Sequence, residues 1–229
     1  MIFRQLFDAK SSTYTYLLAD ETTHEALMID PVLDQLERYV QLLQELELGL
    51  RYALDTHVHA DHITALGALR EATGCTTMMG QQSVAHCVSD KFCDGDILQV
   101  GKLSVRVMYT PGHTDDSYSF YVPDFNAVFT GDTLLIRGTG RTDFQNGDSM
   151  QQYDSLFNKL LKLPSSTRVF PGHDYKGWTE STIAEERLHN PRLQVSTQQQ
   201  YVELMAALNL PNPAQMDIAV PANQRCGMA

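Results

Sequence analysis

The sequence predicts a layered α/β fold, and three observations lead to it. Short apolar stretches, alternating or rich in β-branched and aromatic residues, recur along the chain. Amphipathic stretches of helical period stand between them. No repeat or low-complexity tract breaks the pattern, and 229 residues are the length of one compact domain, 1–229, with a large core.

Residues 1–30 read as strands. Residues 1–8 alternate, 14–19 are bulky, and the apolar run 26–29 closes on the turn pair Asp30-Pro31. Val32, Leu36, Val40, Leu43 and Leu46 then recur at helical spacing, with Gly49 expected at the helix C-terminus. Residues 50–54 read as a strand and 63–73 as a helix ended by Gly74. Strands are expected at 103–108, 117–122 and 127–130. Helices are expected at 150–162 and 179–188, with a short strand at Val169-Phe170 between them. The segment 210–229 is rich in proline and short of periodicity, which predicts a surface-hugging tail.

Charge excludes several functions. With 17 Lys and Arg against 28 Asp and Glu, the net charge is -11, and the isoelectric point is near 5.0. Nucleic acids and anionic membranes demand clustered cations, so neither is an expected partner. The first residues alternate like a strand and lack the apolar core of a secretory signal, and no run approaches the roughly 20 apolar residues of a membrane span. A soluble, cytoplasmic protein is expected. Cys75, Cys87, Cys93 and Cys226 form no Cys-x-x-Cys pair and are expected to be buried or idle thiols.

The chemistry is concentrated in Thr56-His57-Val58-His59-Ala60-Asp61-His62, where three of the chain's 8 histidines and a carboxylate share one short segment. This is a metal-site sequence. If the backbone stays extended, His57, His59 and Asp61 point to one side, while His62 needs a turn to reach the same cavity. Three further ligands follow a common pattern, in which a strand ends, a glycine turns the chain, and a good ligand comes next: Gly112-His113, Gly131-Asp132 and Gly172-His173.

In this order, these motifs resemble the metallo-β-lactamase superfamily. The resemblance implies a four-layer αββα sandwich with the metal at one edge of two facing sheets. Fold alone does not fix function. Segments 130–145, Gly172-His173-Asp174-Tyr175, Glu185-Glu186-Arg187 with Asn190-Pro191-Arg192, and the tail 220–227 are similar to those of the persulfide dioxygenases. That likeness implies a mononuclear non-haem Fe(II) that oxidises glutathione persulfide with O2 and water to sulfite and glutathione, in sulfide detoxification.

Carried over by position, the iron ligands and catalytic residues are His57, His113 and Asp132, a facial triad with three positions left for substrate and O2. His59, Asp61, His62 and His173 then orient ligands and water by hydrogen bonds. Arg141 leads the candidates for holding the glutathione carboxylates, followed by Tyr175 and Arg225. Arg141 has a structural alternative, pairing with Asp143 or Asp148. The family commonly forms homodimers, and with no rhodanese-like stretch in the sequence a sulfurtransferase acting alongside is expected to be a separate protein.

All seven ligands of a binuclear hydrolase are present, so the rival reading is a thioester hydrolase of the glyoxalase II type, with Asp132 bridging two metals. The short tail and the Arg-Gly-x-Gly-Arg-Thr-Asp-Phe segment weigh against it.

Overall fold

The two-residue period of the strands builds the layers. The structure, a computed structural model, describes residues 1–210 and 215–228. The first sheet holds β1 (Ile2–Asp8), β2 (Thr13–Ala19), β3 (Glu25–Ile29), β4 (Gly49–Leu54), β5 (Thr76–Gly80) and β6 (Asp90–Phe92), in that spatial order. The second holds β7 (Ile97–Val100), β8 (Leu103–Tyr109), β9 (Tyr118–Val122), β10 (Ala127–Phe129), β11 (Arg168–Phe170) and β12 (Ser181–Thr182), likewise in sequence order across the sheet.

Every residue of β2 is buried because both of its faces are covered. Tyr14, Tyr16 and Leu18 face inward against Phe120, Phe129 and Phe170 of the second sheet. Leu17 and Ala19 face outward, in the cluster that also holds Tyr39 and Leu43 of α1 (Leu36–Glu45) and Leu66 and Leu69 of α2 (Leu66–Thr73). On the far side, Tyr121 and Val128 pack with the helical layer of α3 (Ser149–Asp154), α4 (Ile183–His189) and α5 (Gln198–Ala206). Helix, sheet, sheet, helix is the expected αββα sandwich.

Several expectations shift. Gly49 opens β4 and does not end the preceding helix, which stops at Glu45, while Glu47 takes the left-handed turn at φ 53°. Gly74 caps α2 as expected, at φ 72°. Strands β5, β6 and β7 were not legible, because none alternates cleanly over more than five residues.

The tail differs most. Of the expected surface-hugging tail, 211–214 and 229 lie outside the described residues; within the rest the unexpected helix α6 (Met216–Asn223) forms, with Asn223 and Cys226 buried. An eight-residue helix that buries only Ala219 and Asn223 has no apolar stripe to read. The idle-thiol expectation is likewise overturned for two cysteines: Cys87 and Cys226 form a disulfide, with Cα atoms 5.8 Å apart across a sequence separation of 139. Sequence spacing says nothing about pairs that meet only through the tertiary fold. Cys75 is buried and Cys93 exposed, both free thiols.

Candidate metal centre

Strand direction gathers the ligands. β8 and β10 both run antiparallel to β9, β11 runs parallel to β10, and β4 lies in the facing sheet. His57, His113, Asp132 and His173 each follow the C-terminal end of one of these strands, at one edge of the sandwich.

The His57–His62 segment is irregular and not extended, so simple alternation does not place its side chains. Buried hydrogen bonds do. Asp30 is buried in a left-handed turn, φ 51°, that aspartate tolerates. It accepts from the Thr56 N–H at 2.7 Å, the Thr56 hydroxyl at 3.0 Å and His59 Nε2 at 3.1 Å. Because the Thr56 hydroxyl gives its proton to Asp30, its oxygen accepts from His57 Nδ1, 2.9 Å away. That fixes the tautomer and leaves His57 Nε2 as a lone pair.

His113 is set in the same way. Its Nδ1 donates to the Arg141 carbonyl at 2.7 Å, leaving Nε2 a lone pair, 3.5 Å from Asp132 Oδ2. The loop holding Arg141 lies so close that a Cβ added to Gly140 would stand 2.3 Å from the Asp132 carbonyl and 2.7 Å from His113 Nδ1. His57, His113 and Asp132 thus present three ligand atoms, all within 4.8 Å of one another.

Burial, with the His59 and His113 rings beside it, holds the His57 pKa well below its usual value, so the ring stays neutral and able to ligate. Asp132 Oδ1 is buried with no hydrogen-bond partner among the described residues. A carboxylate with a buried orphan acceptor, whose other oxygen lies 3.5 Å from the His113 Nε2 lone pair, fits a cation. The two-histidine, one-carboxylate set suits a divalent transition metal with open positions.

A second cluster adjoins the first. His59, Asp61 and His173 also bring ligand atoms within 4.8 Å of one another. With His59 Nε2 bound to Asp30, its Nδ1 is left buried and unpartnered. His173 Nε2 lies 3.5 Å from Asp61 Oδ2 and 3.7 Å from Asp132 Oδ1. Burial opposes charge on His173, yet Asp132 and Asp61 together push its pKa up to about 9. For Asp61, burial is likewise overcome: His173 and His62 hold its carboxyl well below the usual range. His62 Nδ1 stands 2.9 Å from Asp61 Oδ2.

The expected substrate contacts lie in different surroundings. Arg141 has a two-pronged pair with Asp143, at 2.6 Å on each prong, and covers the Phe144 ring at 4.0 Å. Asp148 instead caps α3. Tyr175 is 71% exposed and stacks against His173, with ring centroids 6.0 Å apart. Arg225 is exposed beyond the end of α6.

Three residues absent from the expected set shape the site. Asp30 reads in the sequence as half of a turn pair, Asp116 carries no motif, and Asn223 lies in the family-like tail segment with no role assigned to it. Asp116 accepts from the Val58 N–H at 3.2 Å, and Asn223 binds backbone on both sides of Asp61. An acidic residue before proline in a strand-end turn was the one available signal, for Asp30.

Comparison with known proteins gives a consistent picture. Residues 10–173 match the Metallo-beta-lactamase superfamily. The chain is 47% identical over its full length to a protein of Bos taurus named "Persulfide dioxygenase ETHE1, mitochondrial", covering 89% of that protein. To the Homo sapiens protein of the same name it is 46% identical with the same coverage. A crystal structure of ETHE1 from Myxococcus xanthus superimposes with a TM-score of 0.96 at 54% identity, each chain covered completely. The cytoplasmic expectation is corrected by these relatives, since the mammalian proteins are named as mitochondrial, and neither charge nor the lack of a membrane span separates the two compartments.

Proposed function

The chain belongs to the metallo-beta-lactamase superfamily and, within it, to the persulfide dioxygenases, and from that premise we propose that it oxidises glutathione persulfide at one iron held by His57, His113 and Asp132. The observation that carries the reading is the facial triad itself: ligand atoms of His57, His113 and Asp132 lie within 4.8 Å of one another in a chain that matches persulfide dioxygenases over its full length. The thioester hydrolase reading is not favoured by these comparisons.

When bound, ferrous iron supplies adjacent open positions and the redox chemistry for a sulfur anion and O2. The protein's own groups do the rest. Thr56 and the Arg141 carbonyl hold the two ligand imidazoles in the ligating tautomer. Asp132 supplies the negative charge that favours a divalent ion. His173, carrying its proton between Asp61 and Asp132, offsets the carboxylates beside the triad. His59, Asp61 and His62 orient water and ligands from the adjoining cluster.

In this reading Tyr175 lines the mouth, and Arg141 and Arg225 serve the glutathione carboxylates. Pairing with Asp143 orients the Arg141 guanidinium over the Phe144 ring, on the loop that returns to His113. One domain, 1–229, carries the activity, a separate sulfurtransferase delivers sulfane sulfur, and the assembly is a homodimer.

The test compares substrates on iron-reconstituted protein. Sulfite formation from glutathione persulfide, without hydrolysis of S-lactoylglutathione, supports the reading, and the reverse pattern would remove it. Arg141→Ala is expected to raise KM for glutathione persulfide about tenfold, with a smaller change in kcat. An unchanged KM would take Arg141 out of the substrate site.

A further inference from the structure

The ligand-bearing loop between β4 and α2 lies outside the named strands, so its buried backbone groups need partners other than a sheet neighbour. Strand backbone provides some, such as the Tyr118 N–H to the Thr56 carbonyl at 2.9 Å, and side chains from four distant places provide others. Asp30 accepts from Thr56 N–H, Asp116 accepts from Val58 N–H, and Gln145 donates to the Val58 carbonyl at 2.6 Å. The fourth is Asn223, from α6, and it makes three bonds.

Asn223 is fully buried. Its Nδ2 donates to the His59 carbonyl at 2.9 Å and the His62 carbonyl at 2.8 Å, while its Oδ1 accepts from the Thr64 N–H at 2.9 Å. A primary amide has two donors and one acceptor group, which is the complement this loop presents. One side chain thereby pins the backbone on both sides of Ala60-Asp61 and joins it to the approach to α2.

We infer that Asn223 is a positioning residue for the metal-binding loop, and that the Cys87–Cys226 disulfide is the tether that keeps it seated. The inference rests on the ligand set read above. Asn223 touches no ligand side chain in these contacts and acts only through the loop's backbone. Within α6 itself only Ala219 and Asn223 are buried.

The rest of the seat lies beside the disulfide. The Cys226 carbonyl accepts from Gly67 N–H at 3.0 Å. Gly227 turns at φ 72° where a Cβ would stand 2.1 Å from the Thr64 carbonyl. Cys226 is buried, three residues from Asn223, and bonded to Cys87 on the loop after β5. Opening the S–S bond takes two electrons from a reductant, which for a phosphine ends as the phosphine oxide, and two protons from water, and leaves two thiols. It frees the tail's end, whose order the three Asn223 bonds must then hold against chain entropy.

The test starts from full-length, iron-loaded protein and follows iron release to ferrozine, with amide exchange at Thr64 on the same samples. Wild type, Asn223→Ser and wild type reduced with a phosphine are compared. Both altered forms are expected to release iron at least about tenfold faster. The Thr64 amide, whose acceptor is removed in Asn223→Ser and only loosened by reduction, should exchange faster in both, while amides in β9 keep their protection. Wild-type release rates and Thr64 protection in both forms would overturn the inference. Should Asn223→Ser not fold, the reduced wild type, which carries no substitution, decides alone. A wild type that loads no iron would overturn the ligand assignment, and this inference with it.

Discussion

His113 and Asp132 face each other with Nε2 3.5 Å from Oδ2, while the opposite nitrogen of the same ring is held by the Arg141 carbonyl at 2.7 Å. The loop that follows Asp132 therefore returns to orient the imidazole that shares its site. Gly140 is the point of closest approach, and its N–H also donates to the Asp132 carbonyl at 2.6 Å.

Gly140→Ala should consequently damage catalysis more than stability. The added methyl must displace the Asp132 backbone or the His113 ring, and ligand misplacement near 1 Å costs about 100-fold in rate. Gly138→Ala is the matched control, because its Cβ would meet only Leu135, at 3.9 Å, and it should change stability by less than about 0.5 kcal/mol. Steady-state kinetics on both variants checks the contrast.

Asp132→Asn keeps the shape of the side chain and removes its charge. With Asp132 the ligand proposed above, iron content and sulfite production are expected to fall together by at least about 100-fold. Metal analysis beside the activity assay checks it, and full iron with full activity would break the triad.

Asp30→Ala removes one buried carboxylate and leaves the Thr56 N–H, the Thr56 hydroxyl and His59 Nε2 without their acceptor. The expected loss is about 3 kcal/mol, read by urea denaturation. His57 also loses the proton arrangement that fixes its tautomer, so iron affinity should fall in the same variant.

In metal-free protein, pH should act in two opposite directions. Burial, first of all, holds the His57 and His59 pKa values well below 6.5. Below that pH the unfolded chain takes up protons the folded state refuses, and stability falls with pH. His173 behaves oppositely: with its folded pKa up at about 9, its contribution is complete below 6.5 and is lost as pH rises towards about 9. Thermal melts of chelator-treated protein should therefore give the highest Tm near the middle of this range, and a Tm that climbs steadily through it would contradict the assignment.

Much of this site is legible in the sequence because it is local. His57, His113, Asp132 and His173 each stand a few residues past a strand, and strand order then brings them together without long-range information. What was not legible depends on tertiary contact. Asp30 looks like turn chemistry until the sheet places it under Thr56. Asn223 lies in a helix too short and too little buried to show a period. Cys87 and Cys226 carry no spacing that announces their bond. The compartment was not legible either, because acidic charge and the lack of a spanning helix are common to cytoplasmic and mitochondrial proteins.

Oxygen consumption by anaerobically Fe(II)-reconstituted protein supplied with glutathione persulfide, with metal quantified in the same sample, tests the central claim most directly. The account predicts rapid uptake, sulfite as product and about one iron per chain. Two metals per chain with no oxygen uptake would contradict it.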